Sequence, residues 1–326
     1  AGVLAGTGAR AGAGAPARDA AVPQAEAGSQ PDATVAGRGG DATACERCSA
    51  YGTPQKTGSV EPTELDALSG IAASRSQPGI VFAHNDHDRA GVYALDLQGK
   101  LHARISLDGA SATDIEDIAV GPCGAQTCVF LADIGDNAAQ RSEYAILRFA
   151  QPSVPDTAGS TLLNPSFERF RFSYEDGSHN AESLMVAPNG TLYIVTKLAP
   201  GTGGSVRASG PSSVYKLEPS ALDPAKSAKA LKVATLSVPK SGEGAASAAA
   251  ARACGAGFVL RTYDRVYEFL APAGGDFEQA FAATPTQVAM PDEPQSEGID
   301  YRQDGRGLIS SGEGSHAPIY ATACAP

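Results

Sequence analysis

The stretch IEDIAVGP (115–122), CVFLADIGDN (128–137), YAILRFA (144–150) and FERFRFSY (167–174) decides the fold. It reads as four consecutive strands. The first opens on acidic residues, the second ends in Asp, Gly and Asn, and the third is built around Tyr and aliphatics. The same plan occurs upstream in SGIAAS (69–74), GIVFAHND (79–86), GVYALDL (91–97) and KLHARISL (100–107). It recurs downstream in AESLMVAP (181–188), TLYIVTK (191–197), SSVYKLEP (212–219) and LKVATLSV (231–238). A weaker copy is ASAAAARA (246–253), GFVLRTY (257–263), RVYEFLA (265–271) and TQVAMP (286–291). The last is SEGIDYR (296–302), RGLISSGE (306–313) and PIYATAC (318–324). Ala246–Ala253 is helical by propensity, and only the repeat register assigns it to a strand.

Consecutive apolar positions such as Ile80-Val81-Phe82 and Val129-Phe130-Leu131 imply sheets covered on both faces. Asn189-Gly190 and Asp304-Gly305 mark antiparallel hairpins between first and second strands. Repeated four-stranded antiparallel sheets packed around an axis describe an all-β propeller with five visible repeats; six blades is the alternative. The last repeat lacks a fourth strand, which the segment around 50–65 can supply. A bond from Cys45 or Cys48 to Cys324 would fasten that closure.

Composition agrees with a turn-rich chain. Its 326 residues include 37 Gly and 22 Pro but no Trp, and only 19% are charged. A net charge of −11 argues against a nucleic-acid partner, which requires a basic surface. No apolar run approaches the roughly 18 residues of a membrane span. Residues 1–60 carry five basic and five acidic groups, so the excess charge belongs to 61–326. The Ala/Gly-rich start cannot bury enough surface to offset ordering entropy, so 1–60, with its Cys45-x-x-Cys48, reads as a flexible tether or pro-segment. A start at Ala1 suggests a signal sequence already removed. Six cysteines suggest disulfides and an oxidising compartment, hence a secreted or periplasmic protein, surface-tethered through its N-terminal segment in one version. Cys123 and Cys128 bracket a tight turn and are the best-placed pair. A zinc site would need Cys45-x-x-Cys48 joined to such a pair, and a redox role would need a βαβ context that is absent.

Propeller topology then gathers chemistry. Starts of inner strands and ends of second strands meet at one face, around the channel mouth. The inner-strand starts carry Asp114, Glu116, Asp117, Asn180, Glu182, Glu297 and Asp300. The second-strand ends carry His84, Asn85, Asp86, Asp133, Asp136, Asn137, Lys197, Arg261 and Glu313. Glu116, Glu182 and Glu297 share one register. Converging carboxylates raise one another's pKa, and a hard cation relieves this. Oxygen ligands favour Ca²⁺, with Mg²⁺ or Mn²⁺ as alternatives. The metal set expected is Glu116, Asp117, Glu182, Glu297, Asp86, Asp133, Asp136, Asn137 and Asn180, with Lys197, Arg261 and His84 binding ligand. Turn formation is the stronger account of the Asp133–Asn137 cluster taken alone, while ion pairing is the alternative for Lys197 and Arg261, and solvation for His84, His87 and His179.

The runs SGIAAS…VFAHND…VYALDL, IEDIAVGPC…VFLADIGDN, NAESLMV…LYIVTK and PDEPQSEGIDY…GEGS…PIY resemble a group of secreted bacterial β-propeller proteins of largely unknown function. The resemblance covers about 69–324. More distantly the chain is similar to calcium-dependent phytases and gluconolactonase-type lactonases. It departs from the closer group at Gly244-Ala-Ala-Ser247, where an acidic start is expected. Two functions follow as expectations. One is a monomeric, metal-binding propeller recognising a small-molecule or surface ligand at the channel mouth. The other is a metal-dependent hydrolase of a phosphoester or lactone, with Glu182 or Glu297 as general base.

Overall fold

The structure is a computed structural model, and it describes residues 47–86, 90–198, 210–238, 244–253, 255, 257–291, 293 and 295–325. The strand β1 (Gln55–Ser59) comes first. One antiparallel sheet then follows from β2 (Leu68–Ala73), β3 (Ile80–Asn85), β4 (Gly91–Asp96) and β5 (Leu101–Ser106). Next come β6 (Ile115–Cys123), β7 (Gln126–Asp133) and β8 (Tyr144–Ala150). The short β9 (Thr161–Leu163) runs parallel to β5, and β10 (Phe167–Tyr174) completes the β6–β7–β8 sheet. The third unit is β11 (Ala181–Val186), β12 (Leu192–Thr196), β13 (Ser212–Leu217) and β14 (Ser227–Leu236). Its outer strand β14 pairs in parallel with β10, fusing two units into one eight-stranded sheet. The fourth is β15 (Ala246–Ala251), β16 (Gly257–Thr262), β17 (Val266–Leu270) and β18 (Thr286–Val288). The last is β19 (Ser296–Tyr301), β20 (Gly307–Gly312) and β21 (Pro318–Ala323), completed by β1.

The inner strands neighbour one another in a closed circuit, β2 to β6 to β11 to β15 to β19 and back to β2. This arrangement is a β-propeller. The apolar core is divided accordingly, each buried cluster lying between neighbouring sheets. Phe82, Val92 and Ile105 meet Ile118, Val129 and Phe149 in one wedge; Ile71 and Ala83 meet Ile309 and Ile319 in another. Because each sheet is covered on both faces, β2, β11, β15 and β19 are buried along their whole length. This explains the all-strand state of ASAAAA in β15. Its alanines fill the narrow ring centre beside Phe258 and Phe269, and that burial outweighs helix propensity.

Ring closure takes the form read from the sequence. The β1 strand, inside the segment assigned to the tether, pairs with β21, and a Cys48–Cys324 disulfide fastens it. Cys123–Cys128 joins β6 to β7 across their turn. These bonds leave Cys48, Cys123 and Cys128 no thiolate for zinc. Cys45, Cys254, His87 and residues 1–46 of the tether lie outside the described residues. Among the described residues, no helix is long and apolar enough to cross a membrane.

Candidate functional site at the channel mouth

All five inner strands carry a register shift at the same place. It falls between Leu68 and Gly70, Ile115 and Asp117, Ala181 and Ser183, Ala246 and Ala248, and Ser296 and Gly298. The residue passed over in each is Ser69, Glu116, Glu182, Ser247 or Glu297. A bulge frees one residue from the ladder and re-aims its side chain. Here it turns three glutamates and a serine toward one cavity of about 230 Å³, lined by Ser69, Glu116, Glu182 and Glu297 together with Asp86, Asn137, Lys197, Tyr263 and Glu313. The two serines bond to backbone instead. Ser69 Oγ donates to the Glu116 carbonyl at 2.9 Å, and Ser247 Oγ to the Ser296 carbonyl at 2.7 Å. Two residues further along, Ile118, Leu184, Ala249 and Ile299 surround a void of only about 10 Å³, so the channel is packed there.

The cavity has two unlike walls. On one, carboxylate oxygens of Asp86, Asp114 and Glu116 all lie within 4.8 Å of one another. Burial and the Asp86 carboxylate lift Asp114 to about 6. Burial, then Glu182, Asp114 and Asp86, hold Glu116 well above the ordinary carboxylate range. Gly135 makes this crowding feasible: a Cβ there would come within 2.3 Å of Oδ2 of Asp114 and Oε1 of Glu116. On the other wall, Lys197 Nζ donates to Glu182 Oε1 at 2.8 Å and sits 5.2 Å from the Tyr263 ring centre. Burial disfavours the ammonium, but Glu182 and Tyr263 outweigh it and keep Lys197 charged. Burial raises Glu182 while Lys197 pulls it back, and burial with the Glu182 charge holds Glu297 well up.

Glu116 and Glu297 are 6% and 8% exposed, yet no described residue donates a hydrogen bond to either carboxylate. Buried carboxylates without donors are costly. A divalent cation fits this donor set. Ca²⁺ takes six to eight oxygens at about 2.3–2.6 Å, compatible with the close Asp86, Asp114 and Glu116 oxygens, and Asn137 and water can add to them.

Several expected site residues are engaged elsewhere. Asp117 accepts from the backbone N–H of Ile118 at 2.8 Å and of Leu184 at 2.7 Å, which staples β6 to β11. Asp300 likewise accepts from Ala73 N at 2.8 Å and pairs with Arg75. Asp133 is fully buried and accepts from Thr113 N, Asp114 N and Arg141 Nη2. Asp136 accepts from Gln140 N, Arg141 N and Tyr144 Oη, so the turn reading holds for these two. Asn180 connects the same loop to the cavity. Its Oδ1 accepts from Asp136 N, and its Nδ2 donates to Asn137 Oδ1 and Glu182 Oε1, both at 3.1 Å. Arg261 does not reach the mouth. It is buried against Glu293 and donates to the carbonyls of Gly298 and Ser311. His84 is buried, its Nδ1 bonded to the Asn85 carbonyl at 3.0 Å, and burial lowers it to about 4, so it is a neutral core residue. His179 bonds Asp176 and Tyr215 within an aromatic cluster. Tyr263, which directly follows the end of β16, also lines the cavity, and no repeated residue type in the sequence marks it.

No protein-family model matches the chain, and no curated protein matches it. Among solved structures, the PQQ-bound form of aldose sugar dehydrogenase (Adh) from Streptomyces coelicolor is similar, with a TM-score of 0.48 and 12% identity. The alignment covers 84% of this chain and 98% of that one. A likeness at that level bears on neither ligand nor chemistry.

Proposed function

We propose that the channel mouth binds a divalent cation, Ca²⁺ before Mg²⁺ or Mn²⁺, and that the ion and Lys197 together recognise a small oxygen-bearing ligand outside the cytoplasm. The observation that carries this reading is the pair Glu116 and Glu297, buried in one cavity with no hydrogen-bond donor among the described residues. Asp86, Asp114 and Glu116 would hold the ion, with Asn137 beside them. Glu182 serves mainly to keep Lys197 in place, and Asn180 orients Glu182. A secreted or periplasmic setting agrees with the two disulfides.

Turnover is the second reading, and one observation favours it. Glu297 is buried, has no donor among the described residues and stands well above the ordinary carboxylate range, as a group that must take and return a proton would. In that case Asp86, Asp114 and Glu116 would hold an ion able to supply polarisation of a substrate oxygen or an activated water, and Lys197 would hold negative charge. Thermal melting with EDTA and with added Ca²⁺, followed by phosphatase, phytase and lactonase assays, tests both. A calcium-dependent rise in melting temperature without turnover supports binding alone. Turnover lost in Glu297→Gln but not in Asp156→Asn supports the hydrolase, and no response to Ca²⁺ removes the metal from both.

A further inference from the structure

Beside the mouth lies a larger cleft of about 640 Å³, bounded by the end of β16, the start of β17 and the chain following β18. Tyr263 stands in the wall of both spaces. We propose that the mouth is one end of a longer ligand site, and that its ligand is an elongated polyhydroxylated anion whose charged group lies over Arg265. This rests on the reading of the mouth as an ion site.

Size is the first argument. Small-molecule sites enclose about 300–1,000 Å³. The mouth, at about 230 Å³, can take an ion, its waters and one end of a ligand, whereas the cleft is large enough for the remainder. The second argument is the cleft's chemistry. Tyr263, Met290 and Pro291 offer apolar surface, while the exposed Gln287 amide has no partner among the described residues. Apolar surface beside an amide suits a ring with C–H faces and hydroxyl edges, and oxygen-rich hydroxyl edges suit Ca²⁺ at the ion end. Charge is the third. In a chain of net charge −11, the exposed Arg265 pairs with no carboxylate among the described residues; its Nη1 donates to the Asp264 carbonyl at 2.9 Å. The rest of a guanidinium fork matches carboxylate or phosphate geometry. Arg261, also in this wall, cannot do the same, because its terminal nitrogens are taken by Glu293, Gly298 and Ser311.

Isothermal titration of digalacturonate, glucose 6-phosphate and neutral cellobiose into the full chain, Ca²⁺-loaded and EDTA-stripped, tests this. One of the two anions should bind at least about tenfold more tightly than cellobiose. Arg265→Gln should remove that preference while leaving the affinity for Ca²⁺ itself unchanged. Whether the carboxylate or the phosphate probe wins identifies the anion. Absence of an anion preference in the wild type, or its persistence in Arg265→Gln, overturns the proposal even if Ca²⁺ binds. If Ca²⁺ fails to bind, the ion reading of the mouth falls, and an Arg265-dependent preference in the stripped protein would still uphold the cleft as an anion site.

Discussion

Glu116 and Asp117 are neighbours in the chain and opposites in the structure. Asp117 receives two backbone N–H groups, one from the adjoining inner strand, and joins two sheets. Glu116, passed over by the ladder, points into the mouth and receives none among the described residues. Burial raises the pKa of both. The difference teaches that a run of acids at a strand start mixes two functions: carboxylates that complete the backbone's hydrogen bonding and carboxylates left over for a guest.

The strongest way to break this contrast is Asp117→Ala. It leaves the buried Leu184 N–H without its acceptor, so urea unfolding should show a loss of about 1–3 kcal/mol. Calcium affinity should stay as in the wild type; a parallel loss of ion binding would place Asp117 in the site. Glu116→Gln should do the reverse. Calcium affinity by calorimetry should fall at least about tenfold, ~1.4 kcal/mol, while the metal-free protein melts no lower than the wild type.

A pH series sharpens the same point. Asp114 lies at about 6, and Glu116 and Glu297 are raised well above their ordinary range. The unfolded chain gives up these protons near pH 4, so between there and the raised values the folded state holds more of them. The buried His84, held at about 4, pulls the other way up to its unfolded value near 6.5, so stability of the metal-free protein should fall as pH rises from about 7 to about 8, and saturating Ca²⁺ should cancel the fall by taking the protons' place. A metal-free melting temperature that rises over this window would contradict the crowded-carboxylate picture. The mildest test is Gly135→Ala, whose Cβ would press on Asp114 and Glu116. Calcium affinity should drop about threefold to tenfold.

Much of the architecture was legible because it is periodic. Alternation and turn residues located the strands, the repeat register recovered β15 against its alanines, and the missing outer strand pointed to β1 and the Cys48–Cys324 closure. The shared register of Glu116, Glu182 and Glu297 was legible for the same reason, and the structure brings all three to one cavity. What escaped was set by geometry with no sequence period. The bulges explain why Ser69 and Ser247 occupy the glutamate register, yet nothing in LSGI or ASAA announces a bulge. Contacts that follow no repeat decided the rest. Glu293 took Arg261, Arg141 took Asp133, and burial in the ring neutralised His84.

A crystal grown with Ca²⁺ and measured for anomalous scattering tests the central claim most directly. The account predicts an ion bound by Asp86, Asp114 and Glu116, with Lys197 still on Glu182 across the cavity. An empty mouth at saturating Ca²⁺, with Glu116 taking a hydrogen bond from the protein instead, would contradict it.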